Sequence, residues 1–271
     1  MPTLATYDFG QLNYRDTVWS AQPRGASPWE RLSSVMFANP ANGVVLYDDF
    51  QVNNSVATNA LWQIVKGTGG SITLAGPAGK NNNGWISIPT AASSNDYQCF
   101  FTQGAQYVLS QGDPIAFELY INLTEANTNA SSWFCGLTST TATGFLQNSG
   151  APAASYSGAV FWKATGAMAV KFQTSNGATQ NSTGTLATAV SGQSYILGMY
   201  LDPNDGVTAK ATYYLSTVVN NTIQLLAQGT QNLTIASLAA MYLGFGVRAG
   251  SGSAETILCD YVQAYGVRSL L

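Results

Sequence analysis

The sequence contains no histidine, and only 8% of its 271 residues are charged. Without histidine, Ser-His-Asp and Cys-His nucleophilic sites are excluded, as are histidine-containing zinc sites and the commonest general base. Ordinary soluble domains carry about a quarter charged residues. The surface here must be built from Ser, Thr, Asn, Gln, Gly and Ala, which suits wide contact without desolvation of charge. The net charge is −3 with no basic run, which argues against a nucleic-acid groove. No apolar run approaches the roughly 18 residues of a membrane span. The opening MPTLATYDFG lacks the basic start and apolar stretch of a secretory leader, so none is expected.

Cysteine is scarce as well. Cys99, Cys135 and Cys259 are odd in number, far apart, and set in the apolar contexts YQCFF, WFCGL and TILCDYV. They imply no disulfide framework and are expected to be buried free thiols. Asn-x-Ser/Thr triplets begin at Asn53, Asn122, Asn129, Asn181, Asn220 and Asn232. A chain this rich in those residues contains such triplets by chance.

What the sequence does have is alternation. PIAFELYINLT places Ile115, Phe117, Leu119, Ile121 and Leu123 on one face and Glu118, Tyr120 and Asn122 on the other. AMAVKFQ puts Met168, Val170 and Phe172 inward and Lys171 and Gln173 outward, and GVTAKATYYL puts Lys210 outward. Period two with Gly, Asn, Asp and Ser at the ends reads as antiparallel strands. LDPNDG, residues 201–206, reads as the turn of a hairpin, and NNNG, residues 81–84, as a turn. From Val44 about a dozen strands are expected, beginning with VVLYDDF, ALWQIV, SITLA, GWISI and YQCFFT. SLAAMY, residues 237–242, reads as one helical turn. The fold class is therefore all-β: a two-sheet antiparallel jelly-roll sandwich over 44–271.

Residues 1–43 differ. They carry Pro2, Pro23, Pro28 and Pro40 and no clean alternation. One short helix is expected in SPWERLSSVMFANP, with Ser27 as N-cap, Pro28 at N1 and Glu30 closing a capping box. This irregular arm either docks on a neighbouring subunit or folds back on its own domain. Its aromatic residues need burial in either case.

Several stretches resemble a known family. YDDF with a Trp a dozen residues on, FCGLTST, AVFWKATG, YILGMYLDPNDG, ATYYL and LCDYVQAYGV resemble the concanavalin A-like (laminin-G-like) sandwich. Their order is similar to that in structural proteins of tailed-bacteriophage virions. The resemblance covers roughly residues 44–268. It implies a virion structural protein, a capsid decoration or cement protein on the capsid surface, with the major capsid protein as partner. Shell symmetry then suggests a homotrimer. Because Trp and Arg dominate hot spots, Arg15, Trp19, Arg24 and Trp29 are the expected partner-binding residues. The alternative is a glycan-binding host-attachment module of a tail or fibre.

Enzymes of this fold resemble one another in carrying closely spaced acids on one strand. Retaining glycoside hydrolysis needs two carboxyls about 5 Å apart. Here Asp113, Glu118, Glu125, Asp202, Asp205, Glu255 and Asp260 are scattered, without any Glu-x-Asp pair. Glu118 and Asp260 are weighed as a pair converging across strands, against two isolated carboxylates, and no enzymatic activity is expected. Lectins of the fold resemble each other in binding calcium beside the sugar. Asp48, Asp49 and Asp260 are weighed as oxygen ligands for such a calcium, against an Asp pair that caps a turn, and no cofactor or metal is expected. Trp133, Trp162, Tyr120 and Tyr214 are weighed as sugar-stacking aromatics against core packing.

Overall fold

The computed structural model describes residues 43–50, 61–77, 84–109, 114–127, 129–204, 206–220, 222–235 and 238–267. They form two antiparallel sheets packed face to face. Sheet A contains β1 (Gly43–Asp48), β3 (Thr73–Leu74), β4 (Ile86–Pro89), β6 (Ile115–Thr124), β12 (Ser194–Asp202), β13 (Thr208–Val219), β14 (Thr222–Thr234) and β16 (Thr256–Val267). Its order is β14-β13-β12-β6-β16-β4-β3, with β1 also paired to β16. Sheet B contains β2 (Trp62–Lys66), β5 (Tyr97–Thr102), β7 (Ser131–Thr138), β8 (Ser157–Lys163), β9 (Ala169–Asn176), β10 (Gln180–Ser182), β11 (Ala187–Thr188) and β15 (Tyr242–Ala249). Its order is β10-β9-β8-β7-β15-β5-β2, with β11 also on β9.

The alternation of β6 survives intact. Ile115, Phe117, Leu119, Ile121 and Leu123 all enter the inter-sheet core, each at most 1% exposed. Facing them are Trp133, Cys135, Phe161, Phe172, Phe245 and Val247 from sheet B. Trp62 meets Phe245 edge-on at 5.4 Å, and Phe245 stacks on Phe100 at 5.4 Å. Each fully buried side chain of this size contributes about 1.5–3 kcal/mol. The LDPNDG segment is a turn: Gly206 N–H donates to Pro203 O at 2.9 Å and Asn204 N–H to Asp202 Oδ1 at 2.9 Å.

Three expectations need correction. Met168 lies just before β9 and is 42% exposed, so the inward alternation begins only at Val170. Residues 238–240 form no helical turn. Leu238 N–H closes one turn onto Ile235 O, and Met241 then bridges Tyr107. SITLA supplies only the two-residue β3. The expected arm helix lies outside the described residues.

Sheet B is covered on its outer face too. The β7–β8 connection, including a 3-10 turn at Ala142–Gly144, lays Phe145, Leu146 and Tyr156 over Phe101, Phe134, Val160 and Trp162. Glycines in the strands beneath make room. A Cβ on Gly246 would lie 2.4 Å from Cys99 Sγ, and one on Gly244 2.4 Å from the Phe101 ring. Arg248 pins this segment from below. Its guanidinium donates to the carbonyls of Leu146 and Thr143 and to Asn148 Oδ1, and lies 5.3 Å over the Tyr97 ring.

Candidate functional site

With sheet B's outer face closed, the outer face of sheet A is the broad surface on which polar and aromatic side chains converge. Strand periodicity sends Ala116, Glu118, Tyr120 and Asn122 of β6 outward, opposite the core set. Ile196 and Tyr200 of β12 and Thr212 and Tyr214 of β13 share that side, since Leu197, Met199, Tyr213 and Leu215 are in the core. On β16 the register against β6 shifts between Cys259 and Tyr261, leaving Asp260 as an extra residue. Such a bulge re-aims the strand. Cys259 and Val262 both face the core, and Tyr261 turns outward.

The side chains of this face pack on one another. Trp85 meets Tyr120 edge-on at 5.1 Å, and Tyr120 lies 6.0 Å from Tyr261. Trp85, Tyr120, Ile196 and Leu258 form a cluster joined by Val218, Ile223 and Tyr261. Glu118, only 3% exposed, accepts the Tyr261 hydroxyl at 2.6 Å. β6 carries no second acid beside Glu118.

Asp260 has a different neighbourhood. Burial, and then the charge of Asp49, push its carboxyl up to about 7. Gly84, at φ +82°, fits against both: a Cβ there would lie 3.2 Å from Asp49 O and 3.5 Å from Asp260 Oδ1. Tyr47, beside this pair, is 59% exposed. Burial raises its phenol, and Asp49, Asp260 and Asp48 add to the effect. Asp48 is committed locally. Its carboxylate accepts Phe50 N–H at 2.9 Å and the Trp62 indole N–H at 2.8 Å, so it caps the end of β1. Among the described residues, no three His, Cys, Asp or Glu side chains are placed to hold a metal ion. The Asp48, Asp49 and Asp260 trio therefore does not assemble as a calcium cage.

The candidate stacking aromatics are all buried. Trp133 is 0% exposed, Tyr214 4%, Tyr120 8% and Trp162 9%. The three cysteines are free and buried. Arg15, Trp19, Arg24 and Trp29 lie outside the described residues, as do Asp113 and Asp205.

The structure also brings together polar residues that the strand pattern did not single out. At one end of the sandwich Lys163 Nζ donates to Glu125 Oε1 at 2.8 Å and to Ser131 O at 2.6 Å. Glu125 also accepts the Ser131 hydroxyl at 2.6 Å and the backbone N–H groups of Ser131 and Asn129. Glu255 accepts Ala126 N–H at 2.9 Å and is held above the usual carboxylate range by burial. Asp96 gathers the N–H groups of Thr68, Gly69 and Ala91. These carboxylates tie loops together. Backbone N–H groups donate to all three, while Glu255 Oε1 is buried without a partner among the described residues.

No family model matches the chain, and no curated protein matches it. Solved structures do. A protein of unknown function from Shewanella oneidensis MR-1 is similar with a TM-score of 0.57 and 14% identity, over 85% of this chain and 91% of that one. Lectin II from Ulex europaeus is similar with a TM-score of 0.57 and 10% identity, over 83% and 99%. An endo-1,3-beta-glucanase from Streptomyces sioyaensis is similar with a TM-score of 0.51 and 13% identity, over 86% and 99%. The fold is thus the concanavalin A-like jelly-roll sandwich, one that lectins and glucanases share. At these identities the likeness concerns fold alone.

Proposed function

We propose that this concanavalin A-like sandwich is a non-catalytic structural module of a virion, a capsid decoration protein that stabilises a phage head through non-covalent contacts between subunits. The observation that carries the reading is the state of sheet A's outer face. Trp85, Tyr120, Tyr200 and Tyr214 are each at most 8% exposed, and Glu118 is 3% exposed and hydrogen-bonded to Tyr261. Side chains built into a layer in this way serve packing. A sugar-stacking shelf needs exposed rings, and retaining hydrolysis needs two carboxyls about 5 Å apart. The low charge of the chain supports the same reading, because a surface of amides, hydroxyls and small apolar groups can be covered by a neighbour at little desolvation cost. Contacts that exist only on the assembled shell would stabilise it by mass action.

The test is imaging of native particles labelled with an antibody against this chain. Many regularly spaced copies over the head support the proposal. A few copies confined to the tail tip favour a host-attachment role, and absence from particles removes the virion reading altogether.

A further inference from the structure

We propose that β14 is a self-association edge, on which a second copy of the chain adds its own β14 antiparallel to form one continuous sheet across a two-fold axis. This puts a two-fold dimer in place of the homotrimer expected from shell symmetry, and it does not depend on the virion role.

The longest strand of the fold is an outermost one. β14 runs 13 residues at the end of sheet A and, among the described residues, pairs only with β13. The other outermost strands among the described residues are short: six residues in β1, five in β2, three in β10 and two each in β3 and β11. Exposed strand edges are normally blunted by charge, proline or brevity. β14, TIQLLAQGTQNLT, has neither charge nor proline. Leu225 and Leu226 stand side by side at its bulge, 50% and 41% exposed.

The hydrogen-bonding groups of β14 that no described residue pairs can be assigned. Asn232 O accepts the Thr174 hydroxyl at 3.0 Å, so it points away from β13 and this end is closed against sheet B. In an antiparallel ladder both backbone groups of a residue point the same way, alternating along the strand. Thr230 and Gln228 therefore also point theirs outward. Past the one-residue register shift, so do Leu225 and Ile223. Phase from the other end agrees. Val219 and Thr222 close a two-residue hairpin, so Thr222 and Gln224 face β13.

The occupant follows from the chemistry of the strand. A charged partner strand would find no counter-charge here. An identical copy presents none to repel. About an axis between Leu226 and Ala227, Leu225 of one copy lies opposite Gln228 of the other and Ile223 opposite Thr230, while the two Leu226 side chains lie diagonally across the axis. Isologous pairing of this kind closes at two.

The test uses the full chain. Sedimentation or light scattering at tens of micromolar should give about twice the 28.5 kDa chain mass. Amide exchange should show protection at Ile223, Leu225, Gln228 and Thr230 that rises about tenfold or more with concentration. Gln224 and Ala227, bonded to β13, should be protected throughout. Two variants are used, so that loss of folding in one leaves the other decisive. Leu225→Lys/Leu226→Lys sets like charges across the axis. Gln228→Pro removes only an outward N–H. Each should be monomeric with an unchanged β-type circular dichroism spectrum. A monomeric or trimeric wild-type chain overturns the proposal, as does a dimer that persists in a folded variant or one without concentration-dependent protection at these four amides.

Discussion

Lys163 and Glu125 meet inside the sandwich, with Nζ 2.8 Å from Oε1 and neither side chain more than 4% exposed. Lys163 ends β8 in sheet B, and Glu125 follows β6 in sheet A, so the pair clamps one sheet to the other. Removing one partner strands the other charge in a buried site. Lys163→Met is expected to cost about 3 kcal/mol in urea denaturation. Lys163→Met combined with Glu125→Leu should cost less than the two single changes summed. Strict additivity would show that the ion pair is not coupled.

Stability should depend on pH through Asp260. Its folded carboxyl titrates at about 7, against an ordinary 3.8. The folded state thus binds this proton more tightly, so the contribution is complete below 3.8 and is lost as pH rises through 7. Glu125 works in the opposite sense. Burial pushes it up, but hydrogen bonds from Lys163 and Ser131 outweigh that and hold it low. Its contribution is lost as pH falls through its folded value. The melting temperature should therefore fall between about pH 5 and about pH 8. Asp260→Asn should flatten that fall and add about 1–2 kcal/mol at the alkaline end, after allowance for screening at a partly exposed site. A wild-type profile flat across the window counts against it.

Two glycines make a matched test of the covered outer face of sheet B. A Cβ at Gly246 would lie 2.6 Å from Cys99 Cα, whereas one at Gly252 meets nothing within 4 Å. Gly246→Ala should lose about 1–3 kcal/mol or more, and Gly252→Ala should stay within about 0.5 kcal/mol of wild type. Equal effects in thermal melts would mean the layers are loosely packed.

The thiols should be slow to react. Burial pushes Cys99, Cys135 and Cys259 well above the ordinary thiol range. Labelling of native protein should lag labelling in denaturant by orders of magnitude, and the denatured chain without reductant should take three labels. Two labels fewer would reveal a disulfide.

A chain starting at Asn42 would keep β1 and every strand after it. It should retain cooperative melting and a β-type spectrum. If Arg15, Trp19, Arg24 and Trp29 anchor the protein on its partner, this truncation should weaken particle binding well over tenfold. Undiminished binding would move the contact onto the sandwich.

Strand alternation made the core legible. β6 reads correctly from its own residues because it has the core on one side throughout. Its other face does not read as it looks: Glu118 and Tyr120 alternate like a solvated set, yet both are buried. Alternation reports which residues share a face but says nothing about what covers it. Asp260 was visible as a residue and not as a bulge, because the extra position exists only relative to β6. Lys163 looks like the solvated end of AVFWK. Its partner Glu125 lies 38 residues earlier, a relationship that no local pattern contains. The glycines of FCGL and LGFGVR likewise become meaningful only beside their neighbouring strands: a Cβ at Gly136 would lie 2.3 Å from Ala159 O, and one at Gly244 2.4 Å from the Phe101 ring.

The pairing of β1 with β16 has a mechanical consequence. Gly43 lies opposite Val267, so the chain enters and leaves the sandwich at the same corner. Tension applied through those two points would act across the ladder and not along it, peeling β1 away one residue pair at a time. Resistance to such pulling would then come from β6, which holds the other side of β16 along nearly its whole length. A tether attached at either end would leave the body free to swing from a single hinge point, with the β14 edge presented on the far side of sheet A.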